Sequence, residues 1–365
     1  MTALTSFDRA QDRPSPSPFK ERGAGRLVSR RDFIASLAGG ALLACSDAGD
    51  SPLMTSTAVP NVQQESRPTP VPGTTATAGQ FTWSARAPLP TPRSEVASAV
   101  LDGKIYVIAG FVASGQSSNV VEVYDPLANA WSRKADLPEP RDHAMAAALG
   151  GKVYVFGGGL GTATRSAFAY DLAADRWLRV QDMPFRRTAG GAAVLSERIV
   201  VVGGTGDSPL VTMSYDPSRD GWGMGPGLLL PAPREHLAVT AAEGKVYVIA
   251  GRWDGALKDT NLVADSTSGQ WRALAPMPTA RGGTAGGVVN GRIYVAGGEA
   301  FDPTRTFAQV EVYDPATDAW SKSPDLPTPR HGLAVQGVGD TLYVIGGGPT
   351  AGLSVSPQNE ALSIR

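Results

Sequence analysis

Few side chains here are equipped for chemistry: the 365 residues include three histidines and one cysteine. Each histidine lies within two residues of an arginine, as in Arg141 with His143, Arg234 with His236 and Arg330 with His331. These arginines belong to a recurring series, Arg93, Arg141, Arg187, Arg234, Arg281 and Arg330. Two residues beyond each stands Glu95, His143, Ala189, His236, Gly283 or Gly332. Histidine with a carboxylate is a ligand set for a transition metal. Against that use, the histidines and Glu95 fall in units 1, 2, 4 and 6 of the series, a spread that implies separation, so no metal and no cofactor are expected. An arginine present in every unit suits a structural task, bridging loops or backbone carbonyls. A ring of arginines is also able to hold an anion, and Arg187 is included among the ligand contacts for that reason.

A second set lies in loops that differ from unit to unit. Trp253 stands outside the register of the other tryptophans, in Arg252-Trp253-Asp254-Gly255. An aromatic ring beside an arginine and a carboxylate suits stacking on a sugar face or gripping a peptide side chain. Phe111 and Phe301 occupy comparable loop positions. The expected ligand-binding set is therefore Trp253, Arg252, His143, His236, Glu95, Arg187, Phe111 and Phe301. No catalytic residue is assigned, since neither an HExxH pattern nor a Ser-His-Asp order is present.

The elements that must position these residues are legible from their punctuation. Trp83, Trp131, Trp177, Trp222, Trp271 and Trp320 are spaced 48, 46, 45, 49 and 49 residues apart. Ahead of each later Trp lies a Tyr-Asp step: Tyr124-Asp125, Tyr170-Asp171, Tyr215-Asp216 and Tyr313-Asp314, with Ala264-Asp265 as a weaker copy. Each unit also carries a run of small residues and then a β-branched run ending in Gly-Gly or Ala-Gly, such as Lys152-Val-Tyr-Val-Phe-Gly-Gly158. A period of 40–50 residues with four short strands marks one propeller blade. The small-residue run is the innermost strand, where large side chains would crowd the axis. The last unit lacks a Trp strand, whereas residues 81–86 are a Trp strand alone. The N-terminal strand is therefore predicted to complete the sixth blade, which removes exposed edges.

The double glycine, the Tyr and the spaced Trp resemble kelch repeats, over residues 81–365. The resemblance implies an all-β, six-bladed kelch β-propeller with four antiparallel strands per blade. It also implies ligand contacts at one mouth, from the loop entering each first strand and the loop between strands two and three. Kelch-like galactose oxidases use a copper and a Tyr–Cys cross-link, which is excluded because no Cys follows Cys45. Six-bladed kelch proteins that isomerise sialic acid use a Glu and an Arg in the mouth; Glu95 and Glu235 with the arginine ring are able to imitate them.

Residues 1–45 read as an address. Ser29-Arg30-Arg31-Asp32-Phe33-Ile34 resembles a twin-arginine export signal, and Leu42-Leu43-Ala44-Cys45 resembles a lipobox with Cys45 as the lipidated residue. Residues 46–80 are rich in Ser, Thr and Pro and too poor in apolar residues to order, so they read as a tether. With a net charge of −1 the chain offers no footprint for nucleic acid. The expectation is an exported, lipid-anchored monomer at the cell envelope, on its periplasmic or extracellular side. It would act as a binding or scaffolding module for a glycan or a protein; the alternative is a sugar isomerase or mutarotase.

Overall fold

A computed structural model describes residues 81–364 apart from 160, 267 and 268. The expected signal segment, Cys45 and the tether lie outside the described residues. The strands form six four-stranded antiparallel sheets, with two additional two-stranded hairpins. The predicted six-bladed propeller is what the chain builds.

Blade 1 is Ala97–Leu101, Lys104–Ile108, Val121–Asp125 and Ala130–Lys134, from inside to outside. Blades 2 to 5 repeat this order, with first strands Met145–Leu149, Arg187–Leu195, Ala238–Ala242 and Ala285–Val289. Blade 6 takes Ala334–Val338, Thr341–Ile345 and Asn359–Ile364 from the C-terminal end and Phe81–Ala85 from the N-terminal end. Trp83 pairs with Leu362 there, and its indole Nε1 donates to the Pro324 carbonyl of blade 5 at 3.2 Å. The predicted closure is thus observed strand by strand.

The first strands line a central channel of about 320 Å³, and their channel-facing residues are mostly small, among them Ala146, Ala148, Gly190, Ala192 and Gly286. The second strands are buried on both faces and read as continuous apolar runs such as Val153 to Phe156. Within blades 1, 2, 3 and 5 the third-strand Tyr packs on the Trp opposite it on the fourth strand, as in Tyr124 with Trp131 at 5.1 Å between ring centroids. Such contacts add about 0.5–1.5 kcal/mol beyond area burial. The indole then donates to the preceding blade: Trp131 to Ala87, Trp177 to Ala135, Trp222 to Gln181 and Trp320 to Ala275. Trp271 is different. Its Nε1 is buried with no acceptor among the described residues, in the same blade where Ala264 replaces the Tyr.

The repeated arginines are fully buried or nearly so, and all six bond the same kind of carbonyl, that of the residue 16 positions on. The acceptors are Ala109, Gly157, Gly203, Ala250, Gly297 and Gly346, the first residue of each small pair, and every one has positive φ. In that conformation the carbonyl leaves the strand ladder, so a buried donor must be brought to it. Carboxylates accompany four of the arginines: Glu122 on Arg93, Glu139 on Arg141, Glu311 on Arg281 and Glu360 on Arg330. Arg187 and Arg234 have no salt-bridge partner among the described residues. Burial pulls Arg93, Arg141, Arg187 and Arg234 down to about 10, so they stay charged at neutral pH.

Candidate binding floor at the propeller axis

Two residues beyond each arginine the backbone turns left-handed. Glu95, His143, Ala189, His236, Gly283 and Gly332 all have φ between 50° and 66°. In blade 3 this residue interrupts the ladder without changing its register, between the pairs Thr188↔Thr205 and Gly190↔Gly203. Glu95 and His143 sit just ahead of their first strands, Ala97–Leu101 and Met145–Leu149. The six residues are strung together by backbone bonds between blades. The N–H of His143 donates to Glu95 O, Ala189 to His143, His236 to Ala189, Gly283 to His236 and Gly332 to Gly283, at 2.9–3.0 Å. This hoop encircles the mouth of the channel and aims its side chains at the axis.

All three histidines of the chain meet around one carboxylate, His143 and His236 from the hoop and His331 from the position before Gly332. His143 Nε2 lies 3.3 Å and His236 Nε2 3.9 Å from Glu95 Oε2, while His331 Nδ1 lies 3.1 Å from Glu95 Oε1. The rings of His143 and His236 are 4.8 Å apart, edge to face, above the small Ala189 between them. The expectation that these residues lie too far apart to act together is therefore corrected. Blades are widely spaced at the rim but converge at the axis, so their inner ends touch whichever blade they come from. Gly332 makes the room: a Cβ there would stand 2.4 Å from Glu95 Oε1.

Acceptors on a neighbouring residue fix each imidazole. His143 Nδ1 bonds Asp142 Oδ1 at 2.6 Å, and His236 Nδ1 bonds Glu235. His331 is enclosed by acceptors, with Nε2 3.1 Å from the Thr350 carbonyl and Nδ1 also 3.5 Å from Glu299 Oε2. Arg252 ties the carboxylates together, donating from Nε to Glu235 at 2.8 Å and from Nη1 to Glu299 at 2.6 Å. Glu299 also accepts from the Gly352 N–H at 2.8 Å.

Burial pushes the Glu95 carboxyl up, but the charges and hydrogen bond of the three histidines outweigh it and hold the group well below the usual carboxylate range. Burial pushes His143 and His331 down, and the facing carboxylates more than reverse this, leaving both raised. Asp142 and Glu235, pushed up by burial, are brought down by their own histidines. Two groups of side chains have ligand atoms close enough for one ion: Glu95, His143 and His236, and Glu95, Glu299 and His331.

Above this floor is a cavity of about 190 Å³ lined by Glu95, His143, His236, Arg252, Phe111 and Phe301, together with His331, Glu299, Ser94, Gly352 and Leu353. Six of the eight expected ligand residues thus share one cavity. Phe301 covers Arg252, whose guanidinium carbon is 5.0 Å from the ring centre, and Phe111 meets His143 edge to face at 5.5 Å. Two expected residues do not belong. Arg187 is buried and gives both terminal nitrogens to the carbonyls of Gly203, Pro209, Asp207, Ser208 and Val211, and its remaining Nε is sealed from solvent. Trp253 follows Arg252 on the hairpin Arg252–Trp253 with Ala256–Leu257, where adjacent side chains point to opposite faces, so it is absent from the cavity lining. Sequence reading missed Glu299. Its signal is the position after the small pair, which holds Phe111, Gly159, Thr205, Arg252, Glu299 and Gly348 and so varies among the blades while the pair itself is kept small.

Residues 74–227 match the KLHDC2/KLHL20/DRC7 Kelch-repeats domain, and residues 280–327 match the Kelch motif. The Kelch-like protein terF of Aspergillus terreus is 32% identical over 136 residues, 35% of this chain and 29% of that protein. Kelch-like protein 25 of Xenopus tropicalis is 36% identical over 101 residues, 25% of this chain and 17% of that protein. The chain thus spans less than a third of the length of these curated relatives. A solved structure titled "Structure of YjhT" shares the fold with a TM-score of 0.65 at 20% identity, covering 76% of this chain and 96% of that one. The chain carries kelch repeats, and they build a six-bladed β-propeller.

Proposed function

We propose that this propeller is a non-catalytic binding module that takes a loop of a protein partner into the axial mouth. The observation that carries the reading is the pairing of an apolar rim with a charged floor. Phe301 and Leu353 are 53% and 60% exposed, and both line the cavity that ends on Glu95 and Arg252. Aromatic side chains and arginine are the residues enriched at protein interfaces, and Phe301 over Arg252 supplies both at this mouth. Glu95 and Glu299 line this end together with Arg252 and the three histidines, so the partner's loop supplies a polar side chain to it. Kelch repeats in general suggest a protein-binding module, which supports this choice over a glycan. Arg252 does lie within reach of carboxylates, as a sugar isomerase or mutarotase needs. It is already bonded to Glu235 and Glu299, however, so neither group stands free for proton transfer.

A photo-crosslinking residue placed at Phe301 in the full chain, expressed in its own cells, tests this. A discrete protein adduct is expected there and not at the fully exposed Leu127, in the turn before a fourth strand. No adduct from position 301, or retention on a glycan array lost in Arg252→Ala, contradicts the protein reading. The module is further proposed to be exported and held by a lipid on Cys45. Metabolic labelling with a radioactive fatty acid is expected to mark the chain and to fail in Cys45→Ala; labelling of the variant refutes the anchor.

A further inference from the structure

We infer that the axial floor binds one divalent first-row transition-metal ion through Glu95 Oε2 and the Nε2 atoms of His143 and His236. Three independent features of the hoop lead there. The first is convergence. Zinc ligands sit about 2.0–2.2 Å from the ion, so two ligand atoms on one ion stand about 3.0–3.5 Å apart. His143 Nε2 is already 3.3 Å from Glu95 Oε2. His236 Nε2, at 3.9 Å, needs to close by about half an ångström to match that spacing.

The second is orientation. Asp142 and Glu235 each accept from the Nδ1 of the following histidine. That contact occupies Nδ1 of both imidazoles and leaves Nε2 directed at the axis, where the neutral ring offers a lone pair to a metal ion. A carboxylate behind each histidine is the arrangement that holds metal-bound imidazoles elsewhere in chemistry. Without a metal ion, protons on the two Nε2 atoms are what would join these rings to Glu95, so ion and protons compete for the same gap. The third is the setting of Glu95 itself. His331 Nδ1 holds its other oxygen, Oε1, at 3.1 Å, which leaves Oε2 turned toward the two Nε2 atoms.

Two histidines and one carboxylate match zinc or iron(II) rather than magnesium or calcium, which take oxygen ligands. Ala189, Gly283 and Gly332 supply no ligand side chain, so the remaining coordination positions open onto the channel and the cavity above it. The ion site is independent of the partner reading: it is measured on the purified chain alone, whereas the crosslink at Phe301 is read in cells with the partner present.

The test is a titration of the full chain, stripped with a chelator, using ZnCl2 by calorimetry and CoCl2 by visible absorption. One equivalent of each ion is expected, with cobalt ligand-field bands that zinc abolishes. Glu95→Gln is expected to weaken binding by at least about 100-fold, and Asp142→Asn and Glu235→Gln by about 10–100-fold each through loss of orientation. The strand content and unfolding midpoint of each variant are recorded alongside. Wild-type chain that takes up neither ion overturns the assignment without reference to any variant. So does uptake that persists unchanged in folded Glu95→Gln, and in that case the gap between the Nε2 atoms and Glu95 is filled by protons on the histidines.

Discussion

Two rings of residues encircle the propeller axis only two positions apart in each blade, and they obey opposite rules. The arginine ring is uniform: six guanidinium groups, each bonded to the carbonyl 16 residues on and sealed from solvent. The hoop beside it is uniform only in its backbone, with positive φ and the same inter-blade hydrogen bonds, while its side chains run Glu, His, Ala, His, Gly, Gly. Where one side chain solves the same local problem in every blade, repetition reports structure. Where the backbone is shared and the side chains diverge, the divergence is free to serve a ligand.

The largest effect that would break this comparison belongs to the arginine ring. Arg281→Met leaves Glu311 buried without its cation and the Gly297 carbonyl without its donor. A loss of about 3–5 kcal/mol in denaturant unfolding is expected, the cost of an uncompensated buried charge. Arg234→Met should cost about 1 kcal/mol, because Arg234 has no carboxylate partner among the described residues and only long bonds, 3.4 Å to Ala250 and 3.5 Å to Thr260. Equal losses at the two sites would show that the guanidinium–carbonyl contact, and not the ion pair, dominates.

On the hoop the signs separate. Gly332→Ala puts a Cβ 2.4 Å from Glu95 Oε1 at a φ of 59°, so it should lose about 1–2 kcal/mol and displace the carboxylate from the histidines. Ala189→Gly relieves a left-handed alanine at φ 54° and should raise the unfolding free energy by about 0.5–1 kcal/mol. A destabilised Ala189→Gly would mean that its methyl group, and not its backbone, supports the gap between His143 and His236.

Smaller still is the difference between two tryptophans. Trp320→Phe loses a 2.8 Å bond to Ala275 that Trp271 does not make, so it should cost about 1 kcal/mol more than Trp271→Phe. The smallest effect is acid sensitivity at the rim. Asp175 and Asp318 accept from Tyr170 and Tyr313, and these hydrogen bonds, followed by those from the Ala135 and Ala275 amides, lower both carboxyls below the ordinary 3.8. A lowered folded-state value means a contribution fully present above pH 3.8 and lost as the pH falls through the lower folded value. Melting curves should therefore show Asp318→Asn closing its gap to wild type only below about pH 4.

Blade number, strand order and ring closure were legible because tryptophan spacing and glycine pairs repeat along the chain. The cavity was legible in part. Glu95, His143 and His236 stood out by breaking the series, and Arg252 by its loop. Their convergence was not legible, because spacing along the chain counts blades but carries no measure of how close radial sheets come at their inner ends. Trp253 was misplaced for a different reason: a two-residue strand alternates its faces, so an arginine directed inward sends its neighbour outward. Arg187 belongs to the repeated ring, and its repetition, read strictly, assigns it to the fold.

The central claim is that the divergent hoop holds a ligand on the axis while the uniform ring holds the blades. It is tested most directly by anomalous diffraction at the zinc edge from crystals of zinc-loaded chain. The account predicts one strong peak on the axis, bonded to Glu95 Oε2 and the Nε2 atoms of His143 and His236. No peak there, or one only at surface carboxylates, would contradict it.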